Sequence, residues 1–351
     1  MTASRRPRAA ALAAGVTLSA LALSACSSGQ TESTASSAPP AGASPTAAAG
    51  KTGPLRIAYL QKQGDQQYFV DESDGAKKRA QELGDVTVTT VNLGTDANAA
   101  ISQLDSAIAQ KYDGIIVVVP DQKIGPQVVR AAAQANIPLL ASDDPIESDA
   151  GQAAPFVGFD GPAMGAEVGK KASELYQAAG WQAADTRIVA AWKQDQSNCT
   201  DRVDGAAKSF TSAVPDAPKT VKLGTDNSAT DAQNKAGAAL TGNQGVKHWV
   251  VWGCNDENET GVVTALENGG VKAGDIIGVG LGAYLTCKDW KAGQDTGNKA
   301  SLFIDGHEVG AAAVEAMTKA LRTGAALPPS TVAKTTMVDK STWEQSGLVC
   351  T

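Results

Sequence analysis

The chain of 351 residues predicts an α/β fold built from two doubly wound, parallel-sheet lobes. Three observations lead there. From Leu55 onward short apolar runs rich in β-branched residues alternate with amphipathic stretches, and such repetition demands parallel pairing with right-handed crossovers. The same rhythm restarts in the second half of the chain. Finally, "VNLGTDANAA" from Val91 is echoed by "VKLGTDNSAT" from Val221. Each copy puts Leu-Gly-Thr-Asp after the second strand of its half and before a helix that Thr or Asp can cap.

Taken in order, the elements begin with a leader, residues 1–25. Arg5, Arg6 and Arg8 form a basic region, "AALAAGVTLSALAL" is a short apolar run, and "LSAC" ends on Cys26, the pattern of a signal peptide whose cysteine is lipidated after cleavage. The apolar run is too short for a transmembrane anchor. Residues 26–53, rich in Ser, Thr, Ala, Pro and Gly, cannot bury a core and are expected to form a flexible tether. The rest, from about Leu55, is long enough for two lobes with a core each.

"LRIAYL" predicts the first strand, followed by a helix from Phe69 to Leu83 and a strand at "VTVTTVNL". Ala97, Ala100, Ile101, Leu104 and Ile108 recur at helical steps. "GIIVVV" is the pattern of a strand buried on both faces. A helix from Ile124 to Ala135 and a strand at "IPLLAS" complete the first run. In the second half the strands are "TRIVAAW", "KTVKLG", "HWVVWG", "DIIGVG" and "ASLFI".

Composition excludes several classes. Without the three leader arginines, 27 basic side chains face 37 acidic ones, and no basic run follows, so a nucleic-acid partner is excluded. His248 and His307 lie far apart and no CxxC pair exists, so no metal site is expected. There is no GxSxG, HExxH or P-loop, and nothing requires an enzyme. "GVGLGA", Gly278 to Ala283, has dinucleotide-fingerprint spacing but follows the fourth strand of its half rather than the first. Its glycines are expected to let backbone approach a ligand or a neighbouring loop, and no cofactor is implied. A nucleotide-dependent enzyme using this motif is the rival reading from another class.

With Cys26 lipidated, Cys199, Cys254, Cys287 and Cys350 remain, an even count that suggests disulfides in an exported protein. The strands before Cys254 and Cys287 are expected to be neighbours, which favours a Cys254–Cys287 bridge. Cys199 also follows a neighbouring strand, so Cys199–Cys254 is the alternative.

Ligands of open α/β sheets bind beyond the carboxyl ends of the strands. Four loops there are rich in polar groups: Lys62 after the first strand, "SDDP" with Asp144 after the fourth, Arg202 past "TRIVAAW", and Asn255 after "HWVVWG". Charged planar groups make strong, directional bonds to sugar hydroxyls. Tyr68, Phe69 or Phe159 could carry the apolar face of a sugar ring. Asp256, beside Asn255, is expected to cap the next helix.

These residues give the chain a resemblance. "IAYLQKQGDQQYF", "PLLASDDP" and above all "VKHWVVWGCNDENETGVV" through "KAGDIIGVG" resemble the L-arabinose-binding group of the type I periplasmic sugar-binding proteins, the solute receptors of ABC importers. The resemblance implies sugar contacts at Lys62, Asp144, Arg202 and Asn255, with aromatic positions at Tyr68 and Phe69. It implies Gln66 where the family has a glutamate, and Asp305 as an acid that compensates for losses at Gly282 to Leu285. It implies three crossings at a hinge, near Val157 to Asp160, Phe303 to Asp305 and Thr335 to Val338. The lobes are then 54–158 with 304–335, and 159–303 with 336–351. The expected protein is a monomeric lipoprotein at the outer face of the cell membrane, giving a monosaccharide to an ABC permease. A receptor feeding a sensor kinase is the alternative, and a repressor-type regulator would need a DNA-binding headpiece where this chain has a leader.

Overall fold

The computed structural model describes residues 50–350; the leader, Cys26 and most of the expected tether lie outside the described residues. Two six-stranded sheets organise the chain. The first takes β1 (Leu55–Gln61), β2 (Val86–Asn92), β3 (Gly114–Val117), β4 (Leu139–Asp143) and β5 (Phe156–Gly158), with helices α1 (Gln67–Leu83), α2 (Ala97–Ala109) and α3 (Gly125–Gln134) between them. After α4 (Gly161–Ala179) the second takes β6 (Thr186–Trp192), β7 (Lys219–Gly224), β8 (His248–Gly253), β9 (Ile276–Gly282) and β10 (Asn298–Ile304). Its helices are α5 (Ser197–Ala213), α6 (Ala229–Gly242), α7 (Asp256–Asn268) and the short α8 (Thr286–Lys291). The last elements are α9 (Gly306–Thr323), β11 (Thr331–Val332) and β12 (Thr335–Asp339).

The strand orders, β11-β5-β4-β3-β1-β2 and β12-β10-β9-β8-β6-β7, correspond position by position, except that β11 runs parallel to its neighbour and β12 antiparallel. This is the two-lobed, mainly parallel α/β architecture that the alternating sequence predicts. The first Leu-Gly-Thr-Asp stretch follows edge strand β2, and the second begins in the last two residues of the equivalent edge strand β7. Their caps differ: the Asp96 side chain caps α2, whereas Ser228, two residues past Asp226, caps α6. β5 has three residues, too few for any periodicity to reveal it in the sequence.

The central strands are apolar over most of their length because helices cover both faces. In β1, Ile57 and Tyr59 join a core with Ala76 of α1 and Val309 and Val314 of α9, while Ala58 and Leu60 pack with Leu104 of α2 and Val128 of α3. β8 repeats the arrangement: Val250 and Trp252 pack with Val203 and Phe210 of α5, and Trp249 and Val251 with Ala236 of α6 and Val262 of α7. His248 opens β8 at the edge away from the strands' carboxyl ends, stacked on Trp181 at 4.4 Å.

The chain leaves the first sheet after β5, rejoins that side as α9, which packs on α1, and pairs β11 with β5 in parallel. β12 then pairs antiparallel with β10. The last crossing therefore falls between Val332 and Thr335. The expected crossing at Thr335 to Val338 instead lies within β12, where Thr335 already pairs with Ile304.

The favoured Cys254–Cys287 bridge is corrected. Cys199 bonds Cys254, with Cα atoms 4.9 Å apart, and Cys287 bonds Cys350, at 5.8 Å. β8 does adjoin β9, but Ala283 turns the chain with φ 70° and begins a buried cluster in which Cys287 meets Val338, Leu348 and Cys350. Cys199, in the first turn of α5, is the cysteine left over the end of β8.

Candidate functional site: a polar cleft between the two sheets

Asp144 is the centre of the site. It follows β4 in a tight turn in which Asp143 adopts φ 64°, a left-handed conformation that Asp tolerates better than most residues. Lys62 Nζ, just past β1, donates to Asp144 Oδ2 at 2.6 Å. From the other lobe, Arg202 Nη2 donates to Asp144 Oδ1 at 3.0 Å and Asn198 Nδ2 to Asp144 Oδ2 at 2.7 Å. Asn198 and Arg202 are four residues apart in α5, so one helical face presents both. Burial alone would raise the Asp144 carboxyl, but the cations Lys62 and Arg202 hold it below its ordinary value. Its neighbour Asp143 goes the other way: burial and the charge of Asp144 raise it to about 6. Behind it, burial and Asp143 push Glu72 to about 8, against hydrogen bonds from Tyr59 and Ser142.

Further bonds join the lobes around this centre. Gln196 Nε2 donates to Pro120 O at 2.9 Å, and Asn198 N to Gln122 Oε1 at 3.1 Å. Gln66 Nε2 donates to Tyr284 Oη at 3.1 Å, and that hydroxyl donates to Glu257 Oε2 at 2.8 Å. The cavity enclosed here measures about 40 Å3. Lys62, Gln66, Tyr68 and Phe69 line it from one side and Arg202 and Asn255 from the other. Tyr68 meets Phe69 edge to face at 5.0 Å, and Lys62 lies over the Phe69 ring at 5.6 Å. Tyr68 Oη, Asp143 Oδ1 and Arg202 Nε are buried with no hydrogen-bond partner among the described residues. Unpaired polar atoms of this kind are uncommon in folded proteins.

The chain matches the family described as "Periplasmic binding protein domain" over residues 57–326. The chain belongs to the periplasmic binding protein family. It is 25% identical over 302 residues to an ABC transporter L-arabinose-binding periplasmic protein of Azospirillum brasilense, covering 83% of this chain and 88% of that one. It is 26% identical over 252 residues to the L-arabinose-binding periplasmic protein of Escherichia coli (strain K12), covering 71% and 76%. Among solved structures, the Caulobacter myo-inositol binding protein bound to myo-inositol superposes with a TM-score of 0.73 at 19% identity, covering 84% of this chain and 96% of that one, a likeness of fold. These relatives are named as binding proteins, not enzymes.

Within this periplasmic binding protein, three expected contacts do not line the cavity: Asp144 stands behind it, holding Lys62, Asn198 and Arg202, while its neighbour Asp143 lines it, and two more lie elsewhere. Phe159 is buried behind Tyr68, ring centres 6.3 Å apart, and does not line the cavity. Asp305 caps α9 through Glu308 N, and lines a separate depression beside the C-terminal segment. The reason is positional: each begins a crossing between the lobes, where the chain turns away from the strand ends.

The helix cap expected of Asp256 is corrected: Asn255 takes it. Asn255 caps α7, its Oδ1 accepting from Asn258 N at 3.1 Å, and also lines the cavity. Asp256 is fully buried and accepts from Leu285 N at 2.6 Å and from Thr286 N and Oγ1 at 3.1 and 2.9 Å, which fixes the loop carrying Tyr284. This also accounts for "GVGLGA". A Cβ at Gly278 would stand 2.0 Å from Glu259 Oε1, and one at Gly280 2.7 Å from Asp256 Oδ1. The glycines make room for the protein's own carboxyl groups.

Sequence reasoning missed Gln196, Asn198, Asn227 and Tyr284 as lining residues. The first two follow β6 and the third follows β7, so the rule that pointed to Arg202 could have found them. Tyr284 lies in the stretch where the resemblance implies losses, yet its hydroxyl bonds Gln66 of one lobe and Glu257 of the other.

Proposed function

We propose that the protein is the extracytoplasmic substrate-binding lipoprotein of an ABC importer, anchored through Cys26, and that it binds a monosaccharide of the arabinose or galactose group between its lobes. The observation that carries this reading is Asp144 held by Lys62 from its own lobe and by Arg202 and Asn198 from the other. Both curated relatives are named for L-arabinose binding, which favours an aldose.

The mechanism is hinge closure, because only with the lobes together do all four side chains meet one ligand. Sites for small ligands measure about 300–1,000 Å3, well above the present cavity. The lobes therefore part for the sugar, and its hydroxyls take over bonds that Arg202 and Asn198 make to Asp144. A hydroxyl left unpaired in the resealed site costs about 1–3 kcal/mol, which is how the cleft discriminates epimers.

A thermal-shift screen tests the reading. A sugar at a hundred times its Kd stabilises by about 2.7 kcal/mol, or about 4 °C for a domain of some 300 residues. Pentoses and hexoses are expected to shift the transition; shifts by amino acids or nucleosides with none by any monosaccharide would overturn it.

A further inference from the structure

A second cavity, about 390 Å3, lies at the mouth of the cleft, and Gln63, Gln66, Gln196 and Asn227 line both it and the inner one. Four side-chain amides thus form the partition between the two spaces. Asn227 Nδ2 donates to Gln196 Oε1 at 2.8 Å, and Lys193 N and Asn258 Nδ2 donate to Asn227 Oδ1, both at 2.9 Å, so the second-lobe half of the partition is held in place. The Gln66 half is tied to Tyr284. Of the residues lining the outer cavity only Ala229 is apolar; the remainder are amides, hydroxyls, carboxylates and Lys193. No aromatic ring lines it. Its volume falls in the range of small-molecule sites, whereas that of the inner cavity does not.

Resting on the aldose reading above, we propose that the outer cavity is a second sugar subsite, so that an aldose of that group bound in the inner site can carry a second ring, and is then held more tightly than the monosaccharide alone. The first ring of such a disaccharide sits against Tyr68 and Lys62, and its second ring passes the amide partition into the outer cavity. The chemistry selects a hydroxylated unit: amides both donate and accept, as hydroxyls do, and an apolar substituent would strip these groups of partners without replacing them. Residues of both lobes line the outer cavity, Gln63 and Thr95 from one and Lys193 and Asn227 from the other. A ring there therefore favours closure in the same way as a ring in the inner site.

The test is titration calorimetry of the full chain with L-arabinose, D-galactose and the disaccharides composed of them, beside the variants Thr95→Trp and Asp65→Trp. Both residues are exposed and line only the outer cavity of the two, so the two variants guard against a failure of either to fold. The expected result is a disaccharide that binds about tenfold more tightly than either free aldose. That advantage is lost in both variants while aldose affinity is unchanged. If an aldose binds but every disaccharide is weaker, or if neither tryptophan affects the disaccharide, the subsite is overturned and the aldose reading stands. If neither aldose nor disaccharide binds, the aldose reading fails and takes this one with it.

Discussion

Replacing Asp144 with alanine removes the acceptor of three bonds at 2.6, 2.7 and 3.0 Å, two of them to cations. Lys62 keeps a more distant carboxylate, Asp143, at 3.8 Å, but Arg202 keeps only a bond to the Cys254 carbonyl at 3.3 Å. Removing one partner of a buried ion pair typically costs about 3–5 kcal/mol. Unfolding entropy near 2.1 cal/mol/K per residue gives a domain of about 300 residues close to 0.6 kcal/mol/K, so the melting temperature should fall by roughly 5–8 °C. Two of the three bonds cross between the lobes, so sugar affinity should collapse along with stability. Asp144→Asn, which keeps the shape and one acceptor oxygen, should fall between the two. Calorimetric melting with parallel titration reads both quantities. An Asp144→Ala protein that melts within about 2 °C of the wild type and binds the same sugar equally well would refute the reasoning.

Three further outcomes are expected. Glu72, Glu257 and Asp143 have carboxyls raised from 4.5, 4.5 and 3.8 to about 8, 7 and 6, burial being the largest cause in each case. Each holds its proton more tightly folded than unfolded, so stability should fall as pH rises from 5 to 8; Asp144, lowered, acts only below that window. A melting temperature that rises over that range contradicts this, and Glu72→Gln should flatten the profile. Non-reducing peptide mapping should yield Cys199–Cys254 and Cys287–Cys350, and replacing the second pair with serine should cost roughly 4 kcal/mol for a loop of 63 residues, whereas a Cys254–Cys287 peptide would contradict the structure. Tyr284→Phe, which loses bonds to Gln66 and Glu257, should weaken sugar binding about three- to tenfold, while His248→Ala should leave it within about twofold; titrations in the reverse order would contradict the site.

Much of the fold was legible because the central strands are covered on both faces, and that requirement writes itself as unbroken apolar runs such as "GIIVVV" and "HWVVWG". What escaped was short or set by distant contacts. β5 and β11 have three and two residues, and β12 is defined by antiparallel pairing to a strand about thirty positions earlier. The site was legible where a charged group follows a strand, as at Lys62, Asp144 and Arg202. It was less so where small amides do the work, since Asn198 and Asn227 look like ordinary loop residues until α5 and the turn after β7 bring them together. The cysteine pairing followed the path of the loop after β9, which neighbouring strands alone do not determine.

The central claim is that one sugar is gripped from both lobes around Asp144. A crystal structure of the complex with the aldose that gives the largest thermal shift tests it most directly. The complex is expected to show a single sugar ring on Tyr68 and Phe69, within hydrogen-bond distance of Lys62 and Asp144 on one side and of Arg202 and Asn255 on the other. A sugar that touches only one lobe, or that binds outside this cleft with the Arg202–Asp144 pair intact, would contradict it.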